Sequence, residues 1–286
     1  DNVEHIYYMV RADHRYLALK RIVDMNPDIY GIVFCRTRQE TKDVAEKLMK
    51  DGYNADALHG DLSQAQRDTV MNKFRIKNLQ VLVATDVAAR GLDVSDLTHV
   101  INYNLPDDVE VYTHRSGRTG RAGKKGVSCV IVHTREGRRL REIERIIKKE
   151  FKHMSVPTGM EVCKRQLFHL IDKMERVEVS NEEIDVFMPQ IAAKLAYLSK
   201  EEIISRFVSL EFNRFAEYYK DAEDINVDVK EGKKGKDKGD GKSKRGQKVR
   251  FKMLYGTKQN ATPRSVLGVI NDVTQDKSII IGDIEI

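Results

Sequence analysis

The sequence predicts an α/β fold, a parallel sheet with helices on both faces, followed by a smaller helical region. From residue 29 to about residue 150, short apolar runs rich in β-branched residues alternate with stretches of helical periodicity. This alternation is typical of right-handed strand–helix–strand units, which make the strands parallel and cover both faces of the sheet. From residue 159 to about residue 220, apolar residues recur at helical spacing alone. A chain of 286 residues is long enough for both regions.

Each predicted strand is a short apolar run followed by a polar segment in which a helix begins. The predicted strands are residues 29–35, 53–58, 79–84, 98–103 and 126–133. The predicted helices are residues 37–50, 64–76, 106 through Tyr112, and 134–151. Gly52 is expected to close the first helix, and either Asp61 or Ser63 to cap the second. Ligands of such sheets bind at the carboxyl ends of the strands, so the segments after the strands are expected to share one functional edge.

The second half is predicted to contain a small bundle of helices. Residues 159–174 have helical periodicity, and Ser180 and Ser199 each precede a glutamate by three residues, which is the pattern of a capping box. Pro189 is expected to kink the helix that Ser180 opens. The predicted division is therefore residues 1–152, the α/β domain; 153–222, the helical region; 223–248, a Lys/Gly-rich linker; and 249–286, an incomplete β-α-β segment.

The charge of the chain is concentrated in one segment. The formal net charge is +6, and the ten Lys/Arg and three acidic residues of 230–250 alone contribute +7. Such a segment cannot form a core. It is either an electrostatic tether for a polyanion or a solvated linker, and its charge predicts a salt-dependent affinity for polyanions.

Cysteine usage indicates a reducing compartment. Cys35, Cys129 and Cys163 are far apart and odd in number, which argues against a disulfide framework and against a zinc site. The eight histidines show no metal-ligand spacing, no apolar run approaches the about 18 residues of a membrane span, and no signal peptide opens the sequence. We therefore predict a cytoplasmic protein with no metal site and no membrane segment.

Residues 114–123, reading HRSGRTGRAG, place an arginine at every third position, with glycines between the arginines. Three guanidiniums within seven positions repel one another, and phosphate is the anion that best matches a planar guanidinium. The intervening glycines allow the backbone to approach a ligand closely. An exposed basic loop is the alternative interpretation, and the surrounding motifs decide between the two.

Two further motifs contain groups suited to sugar and phosphate. Residues 84–93, reading ATDVAARGLD, offer the Thr85 hydroxyl, the Arg90 cation and the Asp93 carboxylate. A carboxylate can accept hydrogen bonds from a ribose hydroxyl pair. Gln64 and Arg67 lie three residues apart at a predicted helix N-terminus, where phosphate oxygens are favoured. Each motif alone is more often turn chemistry than a ligand contact.

The order of four motifs gives a resemblance to a known family. IVFCRTR at 32–38, QAQR at 64–67, ATDVAARGLD at 84–93 and HRSGRTGR at 114–121 resemble the second RecA-like lobe of DEAD-box ATP-dependent RNA helicases, over residues 1 to about 150. The threonine of the last motif favours this group over neighbouring helicase families, and its R-T-G-R form disfavours a DNA helicase lobe.

The resemblance implies two sets of site residues. Arg118 and Arg121 would be catalytic arginine fingers on the ATP γ-phosphate. Asp93, with Gly91 beside it, would hold the ATP ribose, and Arg115 and His114 would support the network between the lobes. Single-stranded RNA would be bound through its phosphates and 2′-hydroxyls by Thr37, Arg38, Gly60, Gln64, Arg67 and Thr85. Arg90 would serve either RNA or the lobe interface.

The resemblance also implies a partner lobe. ATP and Mg²⁺ in such enzymes are held mainly by a first lobe with a G-x-x-x-x-G-K-[ST] phosphate loop and an Asp-Glu-Ala-Asp strand, and neither motif occurs in these 286 residues. The chain alone is therefore expected not to hydrolyse ATP, whereas the parent protein is expected to unwind short RNA duplexes. Ribosomal RNA, ribosome assembly and cold response are expectations at the level of the family. The alternative is a non-catalytic, dimerising RNA-binding module.

The helical region and the tail resemble the cold-shock subgroup of bacterial DEAD-box helicases. In that subgroup a helical dimerisation element follows the second lobe, so we favour a homodimer through residues 159–220 over packing of all the apolar faces within the chain. Residues 249–286 weakly resemble the start of an RNA-recognition-like domain, of which only a β-α-β half is present.

Overall fold

The structure is a computed structural model that describes residues 2–90, 94, 97–121, 123–179 and 182–227, without the side chains of residues 182, 183, 214 and 215. The chain divides into a unit of residues 1–231 and a unit of residues 232–286. The second unit lies outside the described residues, together with most of the predicted linker and the whole of the predicted segment 249–286.

The described residues contain one seven-stranded sheet in which every pair of neighbouring strands is parallel. The strands are β1 (Val3–Val10), β2 (Gly31–Phe34), β3 (Ala55–Leu58), β4 (Val81–Ala84), β5 (His99–Asn102), β6 (Gly126–His133) and β7 (Lys152–Met154), in the spatial order β3-β4-β2-β5-β6-β1-β7. The predicted parallel α/β sheet is confirmed.

Helices follow the strands as predicted, and the expected caps form. The α-helices are α1 (Arg15–Met25), α2 (Arg38–Lys50), α3 (Gln64–Arg75), α4 (Asp86–Ala89), α5 (Val109–Ser116), α6 (Gly137–Ile147), α7 (Gly159–Arg176), α8 (Glu182–Asp185), α9 (Met188–Leu195) and α10 (Lys200–Tyr219). Thr37 caps α2, and Gly52 follows that helix with a φ of +87°. Ser63, not Asp61, caps α3, in a capping box with Gln66.

Four strands and α-helices of the α/β region were not predicted from the sequence. They are the strand β1, the helix α1, the short helix α4 and the short edge strand β7. β1 contains Glu4 and His5 among its apolar residues, so it does not read as a continuous apolar run. It is nevertheless a central strand, because it pairs with β6 along its whole length and with β7 on its other side.

The sheet separates two apolar layers, since successive residues of a strand point to opposite faces. On one face, α1 and α2 pack against alternate residues such as Val33 and Ile131. On the other face, α3 and α4 cover one half of the sheet, around Phe74 and Leu82, and α5 and α6 cover the other half, around Tyr112. Both faces are covered, as parallel sheets require.

A polar seam joins the helical region to the α/β region. Lys20 of α1, which is only 6% exposed, donates to Asp24 at 3.0 Å and to the Tyr53 hydroxyl at 2.8 Å. Its ammonium group lies 4.3 Å from the centre of the Tyr218 ring, and the hydroxyl of Tyr219 donates to Asp24. The carboxyl end of α10 is therefore anchored on α1.

A second anchor lies just beyond α10. Arg21 is buried and donates to the backbone carbonyls of Pro157 and Glu223. Ile225, 1% exposed, packs in the core beneath the α1 face. The first residues of the segment predicted as linker thus pack on the α/β region.

The helices between these anchors differ from prediction in one respect. Pro189 does not kink a helix: the chain turns at Val186 and Phe187, and Pro189 lies in the first turn of α9, where its missing N–H costs nothing. The capping box of Ser199 and Glu202 forms as predicted. The Ser180 box lies outside the described residues. Within the described part of the chain, no helix is both long and apolar enough to cross a membrane.

Candidate functional site

The carboxyl edge of the sheet brings together polar segments that are far apart in sequence. Thr37 and Arg38 follow β2, Gly60 follows β3 and Thr85 follows β4, and these three strands are neighbours in the order β3-β4-β2. Because parallel strands end at the same edge, the predicted RNA-binding residues lie on one side of the sheet.

The outermost part of this edge is an ionic cluster around Asp61. Its carboxylate accepts from Arg38 at 2.6 Å and from Lys42 at 3.0 Å. These hydrogen bonds, first that of Lys42 and then that of Arg38, hold the pKa of Asp61 below its usual value. Arg38 is 65% exposed, and Gly60 lies beside its guanidinium, leaving room for a ligand at that cation. Asp61 therefore acts as an internal anion that keeps two cations at the surface.

Helix α3 and the turn into α4 form the other part of the edge. Arg67 is half-buried and donates to the backbone carbonyl of Ala88 at 3.2 Å. Gln64 is exposed in the first turn of α3. Thr85 is buried, and its hydroxyl caps α4 by accepting from the Ala88 N–H at 3.4 Å. Gln64 is accessible to a ligand, whereas Arg67 and Thr85 also fix the local backbone.

Arg115 is buried and held by several partners. Its Nε and Nη2 donate to the two carboxylate oxygens of Asp86, both at 2.6 Å. Its Nη1 donates to the Asn102 side chain at 2.9 Å and to the Asn104 carbonyl at 3.1 Å. This bidentate pairing fixes α5 to the ends of β4 and β5. Arg115 is thus placed to position the edge, while the neighbouring His114 is exposed.

The loop after α5 lies elsewhere than the segments that follow the strands. This loop leads into the amino end of β6, and Thr119 forms a bridge with Leu97, which precedes β5. α5 leads from the carboxyl end of β5 toward this loop, and the Arg115 side chain near its end reaches back to the ends of β4 and β5. Gly120 has a φ of +68°, and a Cβ there would lie 2.5 Å from Val3. The glycine is required by the turn.

Arg118 and Arg121 lie on this loop. Arg118 is half-buried, and Arg121 is exposed with its Nε donating to the Gly117 carbonyl at 2.6 Å. Thr119 of the same loop pairs with Leu97, and Arg90, which directly follows α4, is exposed. Gly91 and Asp93 lie outside the described residues.

Comparisons with known proteins agree with this geometry. Residues 14–123 match the model of the helicase conserved C-terminal domain, and residues 162–220 match that of a probable ATP-dependent RNA helicase, helical domain. The E. coli DEAD-box protein SrmB, solved bound to the regulator of ribonuclease activity A, is 33% identical with a TM-score of 0.51 over 54% of this chain and 91% of that one. The chain belongs to the DEAD-box helicase family.

Two other members show the same relationship. A DEAD box protein from Methanococcus jannaschii is 48% identical, with a TM-score of 0.51 over 54% of this chain and 42% of that chain. The DEAD-box ATP-dependent RNA helicase CshA of Bacillus cereus is 42% identical over 183 residues, which are 64% of this chain and 35% of that protein. The chain thus spans about a third of the length of such relatives and corresponds to the RecA-like C-terminal lobe of the family and the helices that follow it.

Several residues of this DEAD-box lobe that shape the site were not identified from the sequence. Asp86, Asn102 and Asn104 hold Arg115, and Asp61 accepts from both Arg38 and Lys42. Asp86 directly follows Thr85 in the motif of residues 84–93, so a carboxylate at the end of a predicted strand could have been recognised as a candidate site residue. Asn102 and Asn104 gave none, because an asparagine at a strand end is ordinary turn chemistry.

Proposed function

We propose that this chain is the second lobe of an ATP-dependent RNA helicase and that it works through two separate surfaces. The carboxyl edge, with Thr37, Arg38, Gly60, Gln64, Arg67 and Thr85, binds the backbone of single-stranded RNA. The loop after α5, with Arg118 and Arg121, faces the nucleotide held by the first lobe, and Gly91 and Asp93 hold its ribose. The parent protein uses both surfaces to unwind short duplexes.

The observation that carries this proposal is the placement of three neighbouring arginines in different environments. Arg115 is buried against Asp86 and the ends of β4 and β5, whereas Arg121 is exposed on the loop that follows. The buried arginine fixes the helix from which the loop begins. Arg118 and Arg121 are thereby presented from a rigid base, which is what stabilisation of developing phosphate charge requires.

The side chains present fit phosphate rather than a metal ion. Within the described residues, no group of three or more His, Cys, Asp or Glu side chains converges on a common point. Two arginines and the glycine-rich backbone suit the terminal phosphates of a nucleotide. When bound, ATP with Mg²⁺ supplies the phosphoryl group. We propose that the first lobe holds that ion and that this chain alone does not hydrolyse ATP.

The arginine roles can be tested in the full-length enzyme. Arg118→Ala and Arg121→Ala should each lower RNA-stimulated ATP turnover by about 10³-fold or more, while the affinity for single-stranded RNA stays within a factor of two. Arg38→Ala should have the opposite signature, weaker RNA binding with turnover restored at saturating RNA. Parallel loss of turnover and RNA affinity in the Arg118 and Arg121 variants would contradict the finger assignment.

A second copy of the chain is the proposed partner of the helical region. α9 has no buried residue, and large apolar side chains of the region are exposed, including Phe187 at 60%, Tyr197 at 78% and Leu210 at 74%. Exposed apolar surface of this extent is typical of an interaction site. The match of residues 162–220 to a helicase helical domain supports a homodimer through residues 159–220.

Self-association can be tested by light scattering on the 286-residue chain at micromolar concentration. The wild-type chain should have the mass of a dimer, and the double variant Phe187→Glu/Leu210→Glu should be monomeric. Ile76→Glu is a matched control, because Ile76 is equally exposed, at 58%, but lies at the end of α3. A monomeric wild-type chain would exclude the homodimer and leave the RNA-binding module without dimerisation.

A further inference from the structure

A groove lies on the side of α7 that faces the turn between α1 and β2. The groove has a volume of about 510 Å³, and its cationic lining consists of Arg165, Lys173 and Arg176. These residues form one stripe, because residues three and four apart lie on the same face of a helix. Asp28 comes just before β2, so the groove lies at the amino edge of the sheet, opposite the Arg38 cluster.

The three cations outnumber the two carboxylates that line the same groove, Asp28 and Asp172. Across the part of the chain that the structure describes, their side chains make no ion pair or hydrogen bond. The Nδ1 of His169 lies 3.6 Å from the Asp28 carboxylate, and its Nε2 is buried without a hydrogen-bond partner. The lining of the groove therefore keeps a net positive charge, which favours an anionic ligand.

A second cavity continues the groove and adds aromatic rings. It has a volume of about 380 Å³, shares His169 and Lys173 with the first cavity, and is lined by Tyr53, Tyr218 and Tyr219. Tyr53 and Tyr219 are engaged by Asp24, but Tyr218 is 53% exposed with one face toward Lys20. An exposed tyrosine next to cations is a surface on which a nucleobase can stack.

The lining combines cations, tyrosine rings and carboxylates, and this combination favours one class of anionic ligand. Arginine and lysine bind phosphate, tyrosine stacks on bases, and the carboxylates of Asp28 and Asp172 can accept from ribose 2′-hydroxyls. A simple polyanion uses only the cations, whereas RNA uses all three kinds of group. From this combination we infer that the α7 groove, with Tyr218, is a second binding surface for single-stranded RNA.

The groove would hold RNA that extends beyond the carboxyl edge. Four-residue strands rise about 3.3 Å per residue, so the two edges are separated by only about 13 Å of strand, within reach of one RNA strand. The inference rests on the proposed function, since a long RNA must first be bound by the helicase. The groove would therefore add affinity for long single strands and none for short ones.

Fluorescence anisotropy on the full-length enzyme with an ATP analogue tests this inference with an 8-nucleotide and a 20-nucleotide RNA. The triple variant Arg165→Gln/Lys173→Gln/Arg176→Gln should bind the 20-mer at least fivefold more weakly and the 8-mer as wild type does. Its salt dependence for the 20-mer should be shallower by about two ions, since three phosphate contacts are lost at about 0.7 each. The matched control is Arg75→Gln/Arg145→Gln/Lys164→Gln, three exposed cations off the stripe, which should bind the 20-mer within a factor of two of wild type.

The role of Tyr218 is tested by photocrosslinking a 5-bromouridine-substituted 20-mer. Tyr218→Phe should retain the crosslink to α10, and Tyr218→Leu should lose it. Equal 20-mer affinity of the groove variant and the control variant would overturn the inference, and an equal loss with single-stranded DNA would overturn the part assigned to the ribose hydroxyls. Failure of the wild-type enzyme to bind the 8-mer would instead contradict the proposed function.

Discussion

The α/β lobe and the helical region place similar apolar residues in opposite surroundings. In the lobe, residues such as Leu82 and Ile131 are fully buried between the sheet and the helices on either side. In the helical region, Phe187 in the turn between α8 and α9 and Leu210 of α10 face solvent. Among the described residues, the helical region is anchored on the lobe through α7, the end of α10 and residues 223–227. The sheet has two faces on which helices can bury apolar side chains within one chain. A few short helices enclose too little volume to bury theirs.

Replacing a leucine by alanine in each region tests this difference most directly. Leu82→Ala should lower the free energy of unfolding by about 2–5 kcal/mol because it opens a cavity in the core. Leu210→Ala should cost less than about 0.5 kcal/mol at dilute concentration because the side chain is already exposed. Urea denaturation of the 286-residue chain measures both values. A cost at Leu210 that rises with protein concentration would place this residue in the contact between copies, and a cost equal to that of Leu82 at every concentration would refute the contrast.

Asp86 tests whether losing a buried ion pair of the lobe destabilises the fold as much as opening a cavity in its apolar core. Asp86→Ala should destabilise the lobe by about 2–4 kcal/mol, since the buried guanidinium of Arg115 loses its bidentate partner; the 36% exposure of the Asp86 side chain keeps the value below that of a fully buried pair. Asp107→Ala, which removes the 3.3 Å ion pair with Arg36 at an exposed position, is the control and should cost less than about 0.5 kcal/mol. Similar denaturation midpoints for the two variants would mean that Asn102 and Asn104 alone satisfy Arg115.

Gly159 tests the packing of α7 against the end of α10, which is itself anchored on α1. A Cβ at this position would lie 2.8 Å from the Cβ of Tyr219, so Gly159→Ala should push α10 away from α7 at a cost of about 1–2 kcal/mol. Gly137→Ala is the control: it begins α6, nothing lies within 4 Å, and the change should be neutral or stabilising. Limited proteolysis should cleave the Gly159 variant faster within residues 177–220 and leave the lobe intact. Unchanged cleavage there would show that the contact between Gly159 and Tyr219 does not hold the seam together.

Most of the fold could be predicted because the relevant signals are local. Apolar runs such as residues 79–84 marked the strands, and Thr37, Ser63 and Ser199 marked helix starts through their own hydroxyls. β1 could not be recognised in the same way, because Glu4 and His5 interrupt its pattern while its partners β6 and β7 lie more than a hundred residues away. Its position as a central strand is a non-local property.

The sequence by itself determined the family, the parallel architecture and the residue types of both candidate surfaces, because these follow from the order of motifs and the period of the apolar residues. Only the tertiary structure decided which arginine is buried and which is presented, because Asp86, Asn102 and Arg115 meet only after β4, β5 and α5 are packed. The tertiary structure also separated the loop of Arg118 and Arg121 from the carboxyl edge. A side chain's neighbours depend on contacts between distant segments, and no local pattern encodes them.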